Sequence, residues 1–242
     1  MRLFMRLEQL FLQLDHFILG ESIWDKRAIV NTLVDILQVF SRHDLKAEML
    51  KELKRHSNRL NQLSNHEDVD TQMLRSILEE LNATSQILYA TNGKFDLSSM
   101  QSHLFEAISQ RSNILGGTSS FDLPAYHFWL EQNEAALQQD VQAWISKFAP
   151  IRTAVDLTLS FIRLSGENTH ETAQNGFYQA TLDQALPYQI VIVKVLRELP
   201  YFAEISGGKH RVTSRFMSSS AGKLRPKQAN SSVDFILRYC IL

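Results

Sequence analysis

The first two thirds of the chain repeat apolar residues at the spacing of an α-helix. In residues 3–14, and again in residues 30–40, apolar side chains recur every three or four positions and so share one helical face. Asp44 and Asp70 stand where a carboxylate would cap the helix that follows. The same pattern predicts helices in residues 45–63, 71–91, 124–130, 134–147 and 151–164, and a further helix that starts at Asp96 or Ser98 and ends at residue 110.

The pattern changes near residue 165. Residues 165–176 are polar and have no apolar period, so we interpret them as a connection. Gly207-Gly208 suits the turn of a hairpin, and residues 218–232 have the composition of a loop. Alternating or β-branched runs predict strands in residues 189–195, 211–216 and 233–239.

Together the two patterns predict an α+β fold. We expect an α-helical domain over residues 1–165, followed by a small antiparallel β domain over residues 166–242. The composition, 44% hydrophobic and 21% charged, is that of an ordinary folded protein. No apolar run reaches the roughly 18 residues that a membrane-spanning helix needs. The charged start is not a signal peptide, so we expect a cytoplasmic protein without a membrane partner.

Charge is distributed unevenly along the chain, although the formal net charge is only −1. From Lys194 to the end there are nine basic and three acidic residues, which leaves +6 there and −7 on the rest. Arg211 and Arg215 alternate with apolar Val212 and Phe216, so both arginines point to one face of a strand. A basic segment on an acidic body indicates an acidic partner, or else a solvated surface.

No recognised catalytic or metal-binding motif emerges. The lone Cys240 excludes an intrachain disulfide and a cysteine-based zinc site. The segment ISGGKHR invites comparison with a phosphate-binding loop, but Ala203 replaces the first glycine and His210 follows the lysine. The eight histidines are scattered and form no HExxH motif. We therefore expect neither an enzyme nor a cofactor nor a bound metal.

The basic C-terminal segment leaves one alternative open, a nucleic-acid- or phosphate-binding module that uses the same cations. Such a module would stack bases on exposed aromatic rings, and Phe202, Phe216 and Tyr239 are interleaved with the cations. At strand spacing, however, we expect these three rings in the core. An isoelectric point of about 6.7 is also low for a nucleic-acid-binding domain, so no nucleic-acid partner is expected.

Several segments resemble the ZapD family of bacterial cell-division proteins. They are MRLE (5–8), LKAEMLKEL (45–53), NILGGTSSFDLPAYHFWL (113–130), NGFYQ (175–179), EISGGKHRVTSRFM (204–217) and DFILRYC (234–240). These segments follow the family order and extend over nearly the whole chain. Family members usually begin with a short strand before the first helix, so the resemblance implies that the β domain here lacks one strand and has an unpaired edge.

The resemblance implies a function in cell division. Members of the family are non-enzymatic, cytoplasmic homodimers located at the midcell Z-ring. They bind the acidic C-terminal tail of FtsZ, the tubulin-like GTPase, and cross-link its filaments into bundles. A two-fold dimer supplies the two sites that cross-linking requires.

The resemblance also implies a basic site for the FtsZ tail, in a pocket between the two domains. The matching residues are Arg2, Arg6, Arg42, His127, Lys209, Arg211 and Arg215. We add His210, which stands among the same cations. Most of these residues are arginines, whose planar guanidinium groups pair with carboxylates better than ammonium groups do.

Overall fold

The computed structural model describes residues 1–42, 44–63, 71–90, 103–112, 114–218 and 225–241. The chain divides into two compact units, Arg2–Leu159 and Ser160–Leu242, called here the helical unit and the β unit. Helices precede antiparallel strands along the chain, which confirms the predicted α+β class. The division expected at residue 165 stays a prediction.

The described part of the chain contains eight helices. They are α1 (Arg2–Ile18), α2 (Ile23–Arg42), α3 (Leu45–Leu63), α4 (Thr71–Ala90), α5 (His103–Arg111), α6 (Pro124–Leu130), α7 (Glu134–Ser146) and α8 (Ala149–Leu164). The predicted cap of α3 is confirmed, because the Asp44 carboxylate accepts a hydrogen bond from the Ala47 amide at 3.3 Å. The Asp70 cap and the start predicted for the helix before residue 110 lie outside the described residues. None of the described helices is long and apolar enough to cross a membrane.

The helical unit buries most of the faces that the periodicity predicts, although Leu3 and Leu10 of α1 and Leu37 of α2 are only partly buried. Helix α1 buries Phe4, Leu7, Phe11 and Leu14, which recur at helical spacing. Helix α2 packs against this helix and buries its own row of apolar side chains, including Val30, Leu33 and Val34. These two faces form one wall of the hydrophobic core.

The β unit consists of two antiparallel sheets. The strands are β1 (Asn168–Ala173), β2 (Phe177–Thr181), β3 (Tyr188–Lys194), β4 (Tyr201–Gly207), β5 (Arg211–Ser218), β6 (Lys227–Gln228) and β7 (Val233–Ile241). One sheet has the order β1-β7-β3. The other has the order β2-β5-β4, with β6 paired to the end of β5.

The core of the β unit lies between these two sheets. Phe235 of β7 contacts Phe216 of β5 and Tyr178 of β2, with ring centroids 4.8 Å and 5.1 Å apart. Val233 and Leu237 extend the same buried face of β7. The outer face of the β2-β5-β4 sheet does not contribute to this core.

Two expectations for the C-terminal region were wrong. Strand β1 occupies residues 168–173, inside the segment interpreted as a connection, and β6 lies inside the loop expected at 218–232. Strand β1 lies at the edge of its sheet, and Ala173 is its only buried residue. Its sequence therefore lacks the alternation of apolar and polar residues by which a strand is recognised. Its backbone hydrogen bonds to β7, rather than apolar side chains, hold it in the sheet.

Candidate partner-binding surface

Strand β5 is the central strand of the candidate surface. Val212, Ser214 and Phe216 are each 0% exposed and point into the β unit. Arg211 and Arg215 alternate with them and are exposed. The predicted same-face placement of the two arginines is thus confirmed, and it follows from the two-residue period of a strand.

Residues directly opposite one another in an antiparallel pair share a face, so the register of β5 defines its outward neighbours. On the β2 side, Phe177 lies opposite Arg215. On the β4 side, Glu204 lies opposite Arg215 and Phe202 lies opposite Met217. We call this surface the basic sheet face, and its members are Arg211, Thr213, Arg215, Met217, Phe177, Gln179, Thr181, Phe202, Glu204 and Ser206.

The hairpin predicted at Gly207-Gly208 is confirmed and joins β4 to β5. The Gly208 amide donates to the Arg211 carbonyl at 2.9 Å, which closes the turn. The Leu182 amide donates to the His210 carbonyl at 2.8 Å and anchors the turn to the segment after β2. Lys209 and His210 are exposed at this end of the basic sheet face, so the turn adds positive charge beside Arg211.

The cations of the hairpin have no ionic partner among the described residues. Neither Lys209 nor Arg211 nor Arg215 has a carboxylate within 4.0 Å in the part of the chain that the structure describes. Glu204 lies opposite Arg215 in the register without forming an ion pair of that length. The guanidinium groups therefore keep their hydrogen-bond donors available for carboxylates from outside.

The other predicted cations lie in the helical unit. Arg2 and Arg6 are exposed one turn apart on α1. Arg6 borders a shallow groove of about 520 Å³ between α1 and α2, which Asp35 also lines. Arg42 is the last residue of α2, and its side chain lies outside the described residues.

His127 lies on the short helix α6, which begins at Pro124. Its side chain is 51% exposed, and its Nδ1 atom is 4.0 Å from the Glu131 carboxylate. Tyr126 and Trp129 on the same helix are buried and fix the helix against the unit. His127 is therefore held on a rigid element and directed toward solvent.

The eight predicted residues fall into two groups of four. Lys209, His210, Arg211 and Arg215 share one hairpin of the β unit. The remaining four lie on three helices of the helical unit and are Arg2, Arg6, Arg42 and His127. A pocket that combines both groups stays a prediction.

Sequence reasoning misplaced one aromatic residue of this surface. Phe216 is buried as expected and Tyr239 is partly buried, but Phe202 is 41% exposed. Phe202 lies on an edge strand opposite Met217, so its ring is on the outer face beside the cations. Phe177, which is 39% exposed, was not singled out. Only the pairing register could have placed these two rings beside Arg215.

Other chemically reactive groups are arranged differently. Within the described ranges, no group of three or more His, Cys, Asp or Glu side chains could hold a metal ion. Cys240 is 0% exposed and directs its Sγ atom toward the Arg163 carbonyl at 3.9 Å. Burial raises the pKa of the Cys240 thiol, which disfavours the reactive thiolate.

The fold and the basic sheet face together define a class, an α+β protein with an open cationic surface suited to an acidic partner. The family model for ZapD, described as a cell division protein, matches residues 5–215. The chain belongs to the ZapD family of cell division proteins.

Individual relatives match over nearly their whole length. The chain is 43% identical over 242 residues to the cell division protein ZapD of Methylococcus capsulatus, which covers 100% of this chain and 94% of the relative. It is 33% identical over 239 residues to ZapD of Chromobacterium violaceum, with coverages of 99% and 94%. It is 32% identical over 241 residues to ZapD of an Azoarcus species, with coverages of 100% and 95%.

Proposed function

We propose that the protein binds the acidic C-terminal tail of FtsZ and, as a homodimer, cross-links FtsZ filaments at the cytoplasmic midcell Z-ring. One observation carries the proposal: Arg211 and Arg215 lie exposed on one strand face with no carboxylate of the described residues within 4.0 Å. Membership of a family of cell division proteins supports the same role.

The spacing of the two arginines suits an extended acidic peptide. Four residues along a strand separate their Cα atoms by about 14 Å, the distance that four residues of an extended ligand also span. Each guanidinium could bind a carboxylate through two parallel hydrogen bonds. Exposed pairs of this kind contribute about 0.2–1 kcal/mol each, and partly desolvated ones about 1.5–3 kcal/mol.

Two contacts of this strength are too weak for micromolar binding, since a dissociation constant of 1 µM corresponds to about −8.2 kcal/mol. Further contacts are therefore required. Lys209 and His210 add donors at the hairpin turn. In the proposal, the helical-unit residues Arg2, Arg6, Arg42 and His127 assist the same tail. Each additional cation strengthens the attraction of an acidic peptide and makes binding more sensitive to salt.

Bundling of filaments would follow from the two-fold symmetry of a dimer and needs no reaction. A two-fold dimer presents two copies of the basic sheet face, and each copy can engage a tail on a different filament. Many tails along a filament raise the effective concentration, so weak single contacts suffice. The proposed role therefore requires no catalytic step and no cofactor.

The test is a pelleting assay with polymerised FtsZ and the double variant Arg211→Glu/Arg215→Glu. The matched control is Lys194→Glu/Arg197→Glu, which changes the net charge equally at exposed residues of the β unit outside the basic sheet face. We expect the first variant to lose co-sedimentation and bundling while the control retains both. Circular dichroism checks folding.

Two further measurements complete the test. Light scattering should give about twice 27.8 kDa, because a monomer with one tail site cannot bridge filaments. A gel-shift assay with duplex DNA should show no binding at physiological salt. Retained bundling by the folded Arg211→Glu/Arg215→Glu variant would contradict the proposed site, and DNA binding without FtsZ binding would favour the nucleic-acid class.

A further inference from the structure

Strand β4 lies at the edge of its sheet in the part of the β unit that the structure describes. In the order β2-β5-β4 it pairs with β5 on one side and with no described strand on the other. An edge strand presents backbone N–H and C=O groups that can pair with a strand of another molecule. The strand has 7 residues, Tyr201–Gly207, which is long enough to act as a template for such a strand.

The pairing with β5 determines which residues of β4 direct their backbone groups to the free edge. The Gly208 amide donates to the Arg211 carbonyl at 2.9 Å, and bonded and non-bonded pairs alternate along an antiparallel ladder. Every second residue of β4 therefore bonds to β5, namely Phe202, Glu204 and Ser206. The backbone groups of the other residues point outward, namely those of Tyr201, Ala203, Ile205 and Gly207.

The side chains of β4 favour the addition of a strand. Phe202 is 41% exposed on the outer face of the sheet. Ile205 lies opposite the buried Ser214 and so points to the inner face, yet it is 46% exposed. Short segments with such side chains, without proline and with little charge, associate readily through their edges. Glu204 is the only charged residue of β4.

A second copy of this chain fits β4 as the added strand, because a two-fold axis pairs the strand with itself in the antiparallel direction. When the whole strand overlaps, Tyr201 lies opposite Gly207 of the copy and Ala203 lies opposite Ile205 of the copy. The outward backbone groups of these residues then bond to one another. Glu204 is the central residue of β4, so it lies directly opposite Glu204 of the copy.

This full register brings two carboxylates together. Glu204 and its copy form a non-hydrogen-bonded pair, in which the Cα atoms are about 4.5 Å apart and the side chains share a face. Like charges at such positions destabilise the pairing of two strands. Among the described residues no cation lies within 4.0 Å of the Glu204 carboxylate, so no ion pair neutralises it. A shifted register would separate the carboxylates but would leave part of each strand unpaired.

We propose that Glu204 keeps the edge of β4 from pairing with β4 of a second copy. Without this carboxylate the two strands pair in full register and join two sheets into one. In the proposed homodimer, a second two-fold contact on each protomer would connect dimers into larger assemblies and replace the discrete particle with two sites. The role of Glu204 needs no FtsZ, so it stands apart from the proposed function.

The experiment measures the mass of the full chain by light scattering and sedimentation, from micromolar to sub-millimolar concentration. The wild-type mass should stay constant. The mass of Glu204→Val should rise with concentration to at least about twice the wild-type mass. Glu204→Lys again places like charges opposite one another, so its mass should stay constant. The matched control Glu198→Val loses the same charge at an exposed residue outside the strands and should behave as wild type does.

Three further variants assign the contact to β4. Ala203→Pro/Glu204→Val lacks one outward N–H group and should return to the wild-type mass. Glu204→Cys should form an intermolecular disulfide on oxidation, because opposed Cα atoms about 4.5 Å apart are within reach of that bond. In Glu204→Val/Ser206→Cys the two cysteines would be about 14 Å apart along the strands, so no disulfide should form. The native Cys240 is buried and serves as an internal control.

Circular dichroism checks the folding of every variant. A constant mass for the folded Glu204→Val variant, or equal association of Glu204→Lys, overturns the proposal. Association that persists in folded Ala203→Pro/Glu204→Val contradicts a contact through the edge of β4. Equal cross-linking of Glu204→Cys and Glu204→Val/Ser206→Cys contradicts the full register, and this pair decides the question even where the proline variant does not fold.

Discussion

Two cations of the helical unit have acidic partners within the fold, in contrast to Arg211 of the β unit. In the helical unit, Lys26 is buried and binds Glu134 at 2.7 Å, and Arg152 binds both carboxylate oxygens of Asp15 at 2.6 Å. In the described part of the β unit, Arg211 has no such partner. Cations with an acidic partner inside the fold contribute to its stability. Replacing an exposed cation without such a partner changes the free energy of unfolding little, and that cation remains available to a ligand.

Neighbouring residues of β5 also divide into structural and exposed ones, and a substitution at Phe216 should have the largest effect on stability. Phe216→Ala empties a fully buried site, so we expect a loss of about 3–5 kcal/mol in the stability of the β unit. Arg215→Ala, one residue away, should change stability by less than about 0.5 kcal/mol. Hydrogen exchange of the β5 peptide, residues 211–218, measures both effects.

That measurement needs an internal reference. The chain's three tryptophans, Trp24, Trp129 and Trp144, all lie in the helical unit, so their fluorescence reports on that unit alone. Both β5 variants should leave the tryptophan spectrum unchanged at neutral pH. If Arg215→Ala destabilised β5 as much as Phe216→Ala does, the division between structural and available residues would be wrong.

The second largest effect concerns pH and the helical unit. Burial, together with the charge of Arg55, lowers the pKa of His56 to about 4 from its ordinary 6.5. The unfolded chain takes up a proton below pH 6.5 that the folded chain does not. Stability from this residue is therefore complete above pH 6.5 and is lost as the pH falls to about 4.

Urea unfolding followed by tryptophan fluorescence tests this pH dependence. Between pH 7 and pH 4.5 we expect His56 to account for a loss of about 2–3 kcal/mol. The control is His56→Leu, which should show a weaker dependence on pH over the same interval. Equal pH dependence in wild type and variant would show that His56 does not titrate in this way.

A smaller effect is expected at the ion pair between α1 and α8. The Asp15 carboxylate pairs with the Arg152 guanidinium and raises its pKa. Asp15→Asn removes the negative charge of this pair. Both side chains are partly exposed, so the expected loss of stability is about 0.5–1 kcal/mol. Affinity for the FtsZ tail should not change. Thermal unfolding and peptide binding on the same sample check the two statements.

How far the sequence predicts the structure differs between the two units. The periodicity of α1 and α2 and the alternation on β5 indicated the correct buried faces, because each pattern reflects a single element. Strand β1 could not be predicted in this way, since an exposed edge strand is held by backbone pairing with β7. The expectation that Phe202 lies in the core was wrong, because the side of the sheet to which its ring points depends on the pairing register with β5.

In the candidate site, too, the sequence predicts what a single strand determines and misses what depends on the pairing of strands. Local spacing places Arg211 and Arg215 together, and strand geometry alone is sufficient for that prediction. The neighbours Phe177 and Glu204 come from strands about 10 to 40 residues away in sequence, so only the folded sheet brings them beside Arg215. Long-range pairing of this kind leaves no periodic signal in one sequence.

The smallest expected effect is a gain of function. Glu204 lies opposite Arg215 and adds a negative charge to the basic sheet face. Glu204→Gln should therefore strengthen binding of the FtsZ tail about two- to threefold, in proportion to the loss of one exposed repulsive pair. The gain should shrink as salt is raised. Titration calorimetry with the tail peptide measures it, and weaker binding would show that Glu204 instead positions Arg215.

The most direct test of the central claim is the affinity of the FtsZ tail peptide for the wild-type protein and two matched double variants. We expect Arg211→Glu/Arg215→Glu to weaken binding more than tenfold, a change of more than about 1.4 kcal/mol. Lys194→Glu/Arg197→Glu, with the same change in net charge, should stay within about twofold of wild type. Equal losses in both variants, or no loss in either while both remain folded, would contradict the claim that the basic sheet face binds the tail.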